Sequence, residues 1–163
     1  DCEGVTGRRA ILSLEAVQSE FVTASGAWPH TVEKLVQAGI VEATAAGQVE
    51  KIWAFGRLIA NSDMHAGNLS FYYSAFPLSL APVYDMLPMA FAPSSAGMMR
   101  EEACELRFDS TISRQAWEFA LPLAAQFWQQ VMDEKRISEN FRTIAAGMKT
   151  RLSDIAVMVQ RMA

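Results

Sequence analysis

An aspartate followed five residues later by an asparagine, with a second aspartate beyond two short apolar runs, constrains this chain most. Asp63 and Asn68 fall in a segment of small and polar residues that follows an apolar helical pattern ending near Asn61. Asp85 comes just after a stretch whose composition predicts a β-hairpin. The chain must therefore end a helix, form a tight loop and return through a hairpin. We expect this arrangement to bring two acids and an amide to one point.

The segments around this loop predict a mainly α fold. Apolar residues at helical spacing predict five helices: one N-capped by Ser13 and broken at residues 25–29, then 31–38, about 48–60, 112–134, and one N-capped by Ser138. Residues 69–73 and 78–80 flank a turn and predict the hairpin. Residues 86–109 contain prolines and no sustained period, which predicts an extended loop. We therefore predict a single domain over residues 1–163, a helical bundle with a small β-hairpin.

Composition excludes several classes of function. The chain has 14 basic and 18 acidic residues, whereas a nucleic-acid-binding surface normally carries a basic excess. No apolar run reaches the roughly 18 residues that suggest a membrane span. Cys2 and Cys104 form no paired framework and no metal-binding pattern, so we expect free thiols in a reducing compartment. The expectation is a cytoplasmic protein that binds neither nucleic acid directly nor a membrane.

The loop residues predict phosphoryl transfer. The spacing of Asp63 and Asn68 equals that of the protein-kinase catalytic loop, in which the aspartate takes or orients the substrate hydroxyl proton and the asparagine holds magnesium. Asp85 would supply the anionic metal ligand, and Gly67 would permit the turn. His65 has two interpretations that the sequence leaves open: it contacts the transferred phosphate, or it fixes the loop by hydrogen bonding to the backbone.

Two longer segments, residues 55–71 and 80–88, resemble a known family. The first contains the pattern N-x-D-x-H-x-x-N, and the second reads L-A-P-V-Y-D-M-L-P. Together they resemble the C-terminal lobe of HipA-family serine/threonine kinases, the toxin components of bacterial toxin–antitoxin pairs. The resemblance extends to the C-terminal helices and covers most of the chain.

That resemblance implies a fold, a chemistry and a set of partners. It implies the protein-kinase-like C-lobe fold, with Asp63 as the catalytic aspartate, Asn68 and Asp85 as the magnesium ligands, and His65 near the phosphates. It implies ATP and Mg²⁺ as cofactors and a protein serine or threonine as the substrate. A DNA-binding antitoxin is the partner that the resemblance suggests.

Half of an ATP-kinase site is missing from the sequence. Such a kinase needs a glycine-rich phosphate lid and a lysine on a strand of its N-lobe. No G-x-G-x-x-G pattern occurs, and the lysines all fall in or beside predicted helices: Lys34, Lys51, Lys135 and Lys149. We therefore expect a fragment of a longer chain, one that alone binds ATP weakly and transfers phosphate slowly or not at all.

Three alternatives remain open. Small-molecule phosphotransferases of the aminoglycoside/choline type share the D-x-H-x-x-N loop, although residues 80–88 resemble the HipA pattern more closely. A non-catalytic interaction module would use the apolar residues of the Met86–Met99 loop as a docking surface. A metal-dependent hydrolase would bind a transition metal through Asp63, His65 and Asp85.

Overall fold

A computed structural model describes residues 2–3, 7–22 and 26–162 of the chain, with the backbone alone for residues 2–3. Most of the described chain is helical, which confirms the mainly α prediction. The described helices are α1 Leu14–Phe21, α2 Trp28–Gln37, α3 Thr44–Leu58, α4 Arg114–Asp133 and α5 Glu139–Gln160. The described strands are β1 Cys2–Glu3, β2 Gly7–Arg8, β3 Ile11–Ser13, β4 Ser70–Tyr72 and β5 Ser79–Leu80.

The chain divides into two compact units. The first unit comprises Asp1–Glu50 and Met64–Asp85, and the second unit comprises Lys51–Asp63 and Met86–Ala163. The assignment of residues 1–163 to a single domain stays a prediction.

A three-stranded antiparallel sheet organises the first unit. Strand β4 lies at its centre and pairs with β5 to form the predicted hairpin, with Phe71 opposite Leu80. The third strand, β3, pairs with the other edge of β4 and was not predicted. A strand of three residues has too short a period-two pattern to be recognised in a sequence. This sheet returns the chain from the loop at residues 61–69 to Asp85.

Helix α1 directly follows β3, because Ser13 is both the last residue of the strand and the N-cap of the helix. The Oγ of Ser13 accepts a hydrogen bond from the N–H of Ala16 at 3.2 Å, which confirms it as the N-cap. Leu14 and Val17 are buried, but Phe21 is 44% exposed. Phe21 lies on the last turn of the helix and makes an edge contact with Phe76, so only part of its ring is covered.

Helix α2 begins three residues earlier than predicted. It starts at Trp28, inside the segment that the sequence suggested as a break, and Pro29 lies in its first turn. A proline is tolerated there because the missing N–H would have no partner within the helix. Part of the predicted break, residues 23–25, lies outside the described residues. Gly39 follows the helix at φ +69°, as a helix stop requires.

Helices α4 and α5 form the core of the second unit, together with the end of α3. The side chains of Trp117, Trp128 and Met148 are completely buried. The indole Nε1 of Trp128 donates to the carbonyl of Leu58 at 3.1 Å. Carbonyls in the last turn of a helix lack intrahelical partners, so this bond satisfies the end of α3 from within the core. These tryptophan and methionine side chains therefore serve packing.

The segment between the hairpin and α4 is extended, as predicted, except for one short 3₁₀ turn at Met89–Phe91. Phe91 is buried and packs edge-on against Trp128 and Phe141, which attaches this loop to the core. Met98 and Met99 are largely exposed. Among the described residues, the helices are too short or too polar to cross a bilayer.

Candidate active site

The loop that carries Asp63 begins with a buried asparagine. Beyond the end of α3, Ala60 takes a left-handed conformation at φ +58°, and the N–H of Asn61 donates to the carbonyl of Gly56 at 2.8 Å. Asn61 is only 4% exposed, and its Oδ1 accepts the N–H of Asp63 at 2.9 Å. This side-chain turn fixes the backbone at Asp63 while the residue itself stays exposed. The second unit thus presents the Asp63 carboxylate from a rigid base.

His65 holds the next part of the loop, in the first unit. Its Nδ1 accepts the N–H of Gly67 at 3.0 Å, and its carbonyl accepts the indole Nε1–H of Trp28 at 3.0 Å. The same carbonyl accepts the N–H of Asn68 at 3.0 Å, which closes a 3₁₀ turn over Ala66–Asn68. The structure therefore contains the backbone hydrogen bond that the loop-fixing interpretation of His65 requires. An Nδ1 that accepts is unprotonated, so a neutral ring carries its proton on Nε2.

Glycine is favoured at position 67 by the closeness of the His65 ring and not by an unusual backbone conformation. A Cβ at this position would lie 2.8 Å from Cε1 and 2.9 Å from Nδ1 of His65, closer than real side chains approach. The sequence predicted that Gly67 permits the turn. The structure adds a steric reason, because a side chain at position 67 would force the imidazole ring of His65 to shift.

Asn68 and Asp85, which are 17 residues apart in the sequence, are brought together by the hairpin of the first unit. The Nδ2 of Asn68 donates to the Oδ2 of Asp85 at 3.3 Å. Asn68 is 8% exposed, whereas Asp85 is exposed and has a left-handed backbone with φ +56°. An amide and a carboxylate offer the hard oxygen atoms that Mg²⁺ prefers. The donor set of this pair therefore suits a magnesium ion.

Tyr84 attaches the Asp85 segment to the loop. Its hydroxyl donates to the carbonyl of Gly67 and lies 3.1 Å from the Oγ of Ser70. Because the single phenolic proton goes to Gly67, the hydroxyl of Ser70 is the donor in the second bond. Sequence reasoning assigned no role to Tyr84, Asn61 or Trp28. The available signal for Asn61 and Tyr84 was their place within the two segments that resemble the family.

The sequence-predicted residues are distributed over both units. His65, Asn68 and Asp85 belong to the first unit, which places Asn68 against Asp85, and Asp63 belongs to the second unit. In the part of the chain that the structure describes, no group of three or more histidine, cysteine and acidic side chains is placed to hold a metal ion.

Comparisons with known proteins identify relatives of the whole chain. The family model described as HipA-like C-terminal domain matches residues 14–156. The protein Toxin YjjJ of Escherichia coli (strain K12) is 56% identical over 162 residues, which cover 99% of this chain and 37% of that protein. The chain therefore spans little more than a third of the length of that relative. No solved structure matches the chain.

Proposed function

The chain belongs to the HipA-like C-terminal domain family, and we propose that it is the C-terminal lobe of an ATP-dependent, magnesium-requiring protein serine/threonine kinase. The observation that carries this proposal is the hydrogen bond between Asn68 and Asp85. Two residues 17 positions apart meet as an amide–carboxylate pair, in the chain order of the two metal ligands of protein kinases. Family membership supports the same function independently.

Each polar residue of the loop has a role in the proposed reaction. Asp63 accepts or orients the proton of the substrate hydroxyl, and Asn61 holds its backbone in place for that purpose. Asn68 and Asp85 hold the ion, and a bound Mg²⁺ would neutralise charge on the ATP phosphates. His65 shapes the turn between Asp63 and Asn68, and Tyr84 fixes that turn to the Asp85 segment.

The remaining parts of the nucleotide site would come from a longer chain. A phosphate-covering loop and a strand lysine are absent from the 163-residue sequence. The E. coli relative is more than twice as long as this chain, so such elements have room in a protein of that size. The proposed active enzyme is therefore a longer protein of which this chain forms the magnesium-binding and proton-accepting side.

The proposed setting follows the family. The E. coli relative is named a toxin, and for this chain we propose a cytoplasmic toxin whose activity is restrained by a DNA-binding antitoxin. A protein serine or threonine is the proposed acceptor of the phosphate. If the longer protein instead transferred the phosphate to a small molecule and to no protein, the aminoglycoside/choline type of phosphotransferase would replace this proposal.

Paramagnetic broadening by Mn²⁺ tests the metal site directly. Mn²⁺ takes the same oxygen ligands as Mg²⁺ and broadens amide signals near its binding site. In the ¹⁵N-labelled chain, we expect substoichiometric Mn²⁺ to broaden the amides of Asn68, Leu69 and Asp85 first, and excess Mg²⁺ to restore them. The Asp85→Asn variant should lose this selective broadening because it lacks the anionic ligand.

The Asp154→Asn variant is the matched control. Asp154 is an exposed carboxylate on α5 in the second unit, so its removal changes the net charge equally. Asp154→Asn should leave the broadening of Asn68 unchanged. The magnesium assignment would be refuted if Mn²⁺ broadened the amides of acidic residues throughout the chain. It would also be refuted if Asp85→Asn left the broadening unchanged.

A further inference from the structure

The second unit contains a cavity that the proposed active site does not use. Its volume is about 720 Å³, within the range of small-molecule pockets. One wall is the end of α3 with Arg57, together with Asn61 and Ser62. The lining also includes Arg100 and Arg107, from the stretch before α4. All of these residues belong to the second unit, so the cavity is formed within it.

The cavity has an excess of positive charge. Three arginines line it against a single acidic lining residue, Glu105. The pKa of the Arg57 guanidinium is lowered first by burial and second by the positive charge of Arg107, and the carboxylate of Asp109 offsets this in part. Arg57 is half-buried and feels the charge of the exposed Arg107, and an anion bound between the two guanidinium groups would relieve their repulsion.

The chemistry of the lining selects one class of anion. Guanidinium groups bind phosphate through paired N–H donors, and three arginines line this cavity. Asn61 and Ser62 add polar groups beside them. We propose that this cavity is a binding site for a phosphate group, either free in solution or carried on a phosphorylated side chain. A cavity of this size has room for the group that bears the phosphate.

The cavity adjoins the segment that carries Asp63. Asn61 lines the cavity with its neighbour Ser62, and the Oδ1 of Asn61 accepts the N–H of Asp63. A phosphate bound against Asn61 and Ser62 would therefore lie beside the base of the Asp63 loop. Phosphate binding in this cavity does not depend on kinase activity. A bound phosphate would couple occupancy of the cavity to the position of Asp63.

Titration with inorganic phosphate tests the site. In the ¹⁵N-labelled chain at constant ionic strength, we expect saturable shifts at Arg57, Asn61 and Arg107. The Arg100→Gln and Arg107→Gln variants should each bind phosphate about tenfold more weakly, the loss typical of one charged hydrogen bond. Both arginines are exposed, so these variants avoid the folding risk of replacing half-buried Arg57.

Lys135→Gln is the charge-matched control, since Lys135 is exposed in the turn between α4 and α5. It should retain phosphate affinity within about twofold, as distant surface charges are screened. Shifts that never saturate, or equal weakening by Lys135→Gln, would overturn the proposal. O-phosphoserine binding more tightly than inorganic phosphate would identify a phosphorylated side chain as the source, and equal binding would identify a free phosphate compound.

The phosphate titration and the Mn²⁺ broadening test two independent sites. Asp85→Asn should leave phosphate binding in the cavity intact, because Asp85 belongs to the first unit and does not line it. Arg107→Gln should leave the Mn²⁺ broadening of Asn68 intact. Either site can therefore fail without the other.

Discussion

Asp85 presents its carboxylate from a backbone conformation that few side chains tolerate. Its φ is +56°, in the left-handed region where aspartate and asparagine are enriched. Asp85→Asn should therefore remove the charge without backbone strain, whereas Asp85→Ala should add strain. We expect urea unfolding to show Asp85→Ala less stable than Asp85→Asn by about 1 kcal/mol. Equal stability of the two variants would contradict this explanation.

Cys104 should be an unreactive thiol at neutral pH. Burial raises its pKa, and the positive charges of Arg100 and Arg151 oppose that effect only in part. Because the thiolate is the reactive form, we expect alkylation of Cys104 in a Cys2→Ser background to be slower at pH 8 than that of free cysteine. Arg100→Gln should slow alkylation further. A rate equal to that of free cysteine would contradict the raised pKa.

The raised pKa of Cys104 also makes the free energy of unfolding depend on pH. The folded pKa of Cys104 lies above the unfolded one, so its contribution is fully present below the unfolded pKa, about 8.5. As the pH rises beyond that value, the unfolded thiol ionises first and the contribution is lost. Cys104→Ala should therefore show a weaker loss of stability above pH 8.5 than the unaltered chain.

At the scale of residues, the sequence predicted the pair Asn68 and Asp85, but it did not predict the residues whose hydrogen bonds fix the loop. Asn68 was recognisable by its spacing from Asp63, and Asp85 by its place just after the predicted hairpin. The roles of Asn61 and Tyr84 depend on hydrogen bonds to the loop backbone, and such bonds leave no periodic trace in a sequence. The catalytic role of Asp63 stays a prediction.

At the scale of elements, N-capping serines define where the helices begin. Ser138 caps α5 by accepting the N–H of Phe141 at 3.3 Å. Ser138→Ala should destabilise the chain by about 1 kcal/mol, because the first turn of α5 would lose that bond. Urea unfolding measures this loss. Ser153→Ala, an exposed position inside the same helix, should be neutral or slightly stabilising, and a cost equal to that of Ser138→Ala would contradict the capping role.

The elements that the sequence predicted well are those with long periodic patterns. Helix α4 was located within two residues at each end and α5 at its N-cap Ser138, because helices of 20 and 22 residues provide several turns of apolar spacing. Strand β3 was missed and α2 began early, because a three-residue strand and a proline in a first turn depend on local geometry. The hairpin was predicted because its aromatic run and turn residues are local signals.

At the scale of the whole molecule, the proposed catalytic groups belong to two units of one chain. Asp63 ends a segment of the second unit, and Asn68 and Asp85 lie in the first. The sequence shows no lysine in a strand context and no glycine-rich lid. We therefore expect the 163-residue chain to bind MgATP at least tenfold more weakly than the proposed longer protein, as measured by calorimetry. Equal affinity would mean that the nucleotide site is complete in this chain.

The central claim is that Asp63 serves phosphoryl transfer to protein. Its most direct measurement is the transfer of radiolabelled γ-phosphate from ATP to protein by the longer protein that contains this chain. Replacing a catalytic carboxylate that takes or orients a proton typically costs roughly 10²–10⁴-fold in rate. Asp63→Asn should lose transfer by such a factor while remaining folded, and the matched Asp154→Asn should retain it. Protein labelling by Asp63→Asn at the unaltered rate would contradict the claim.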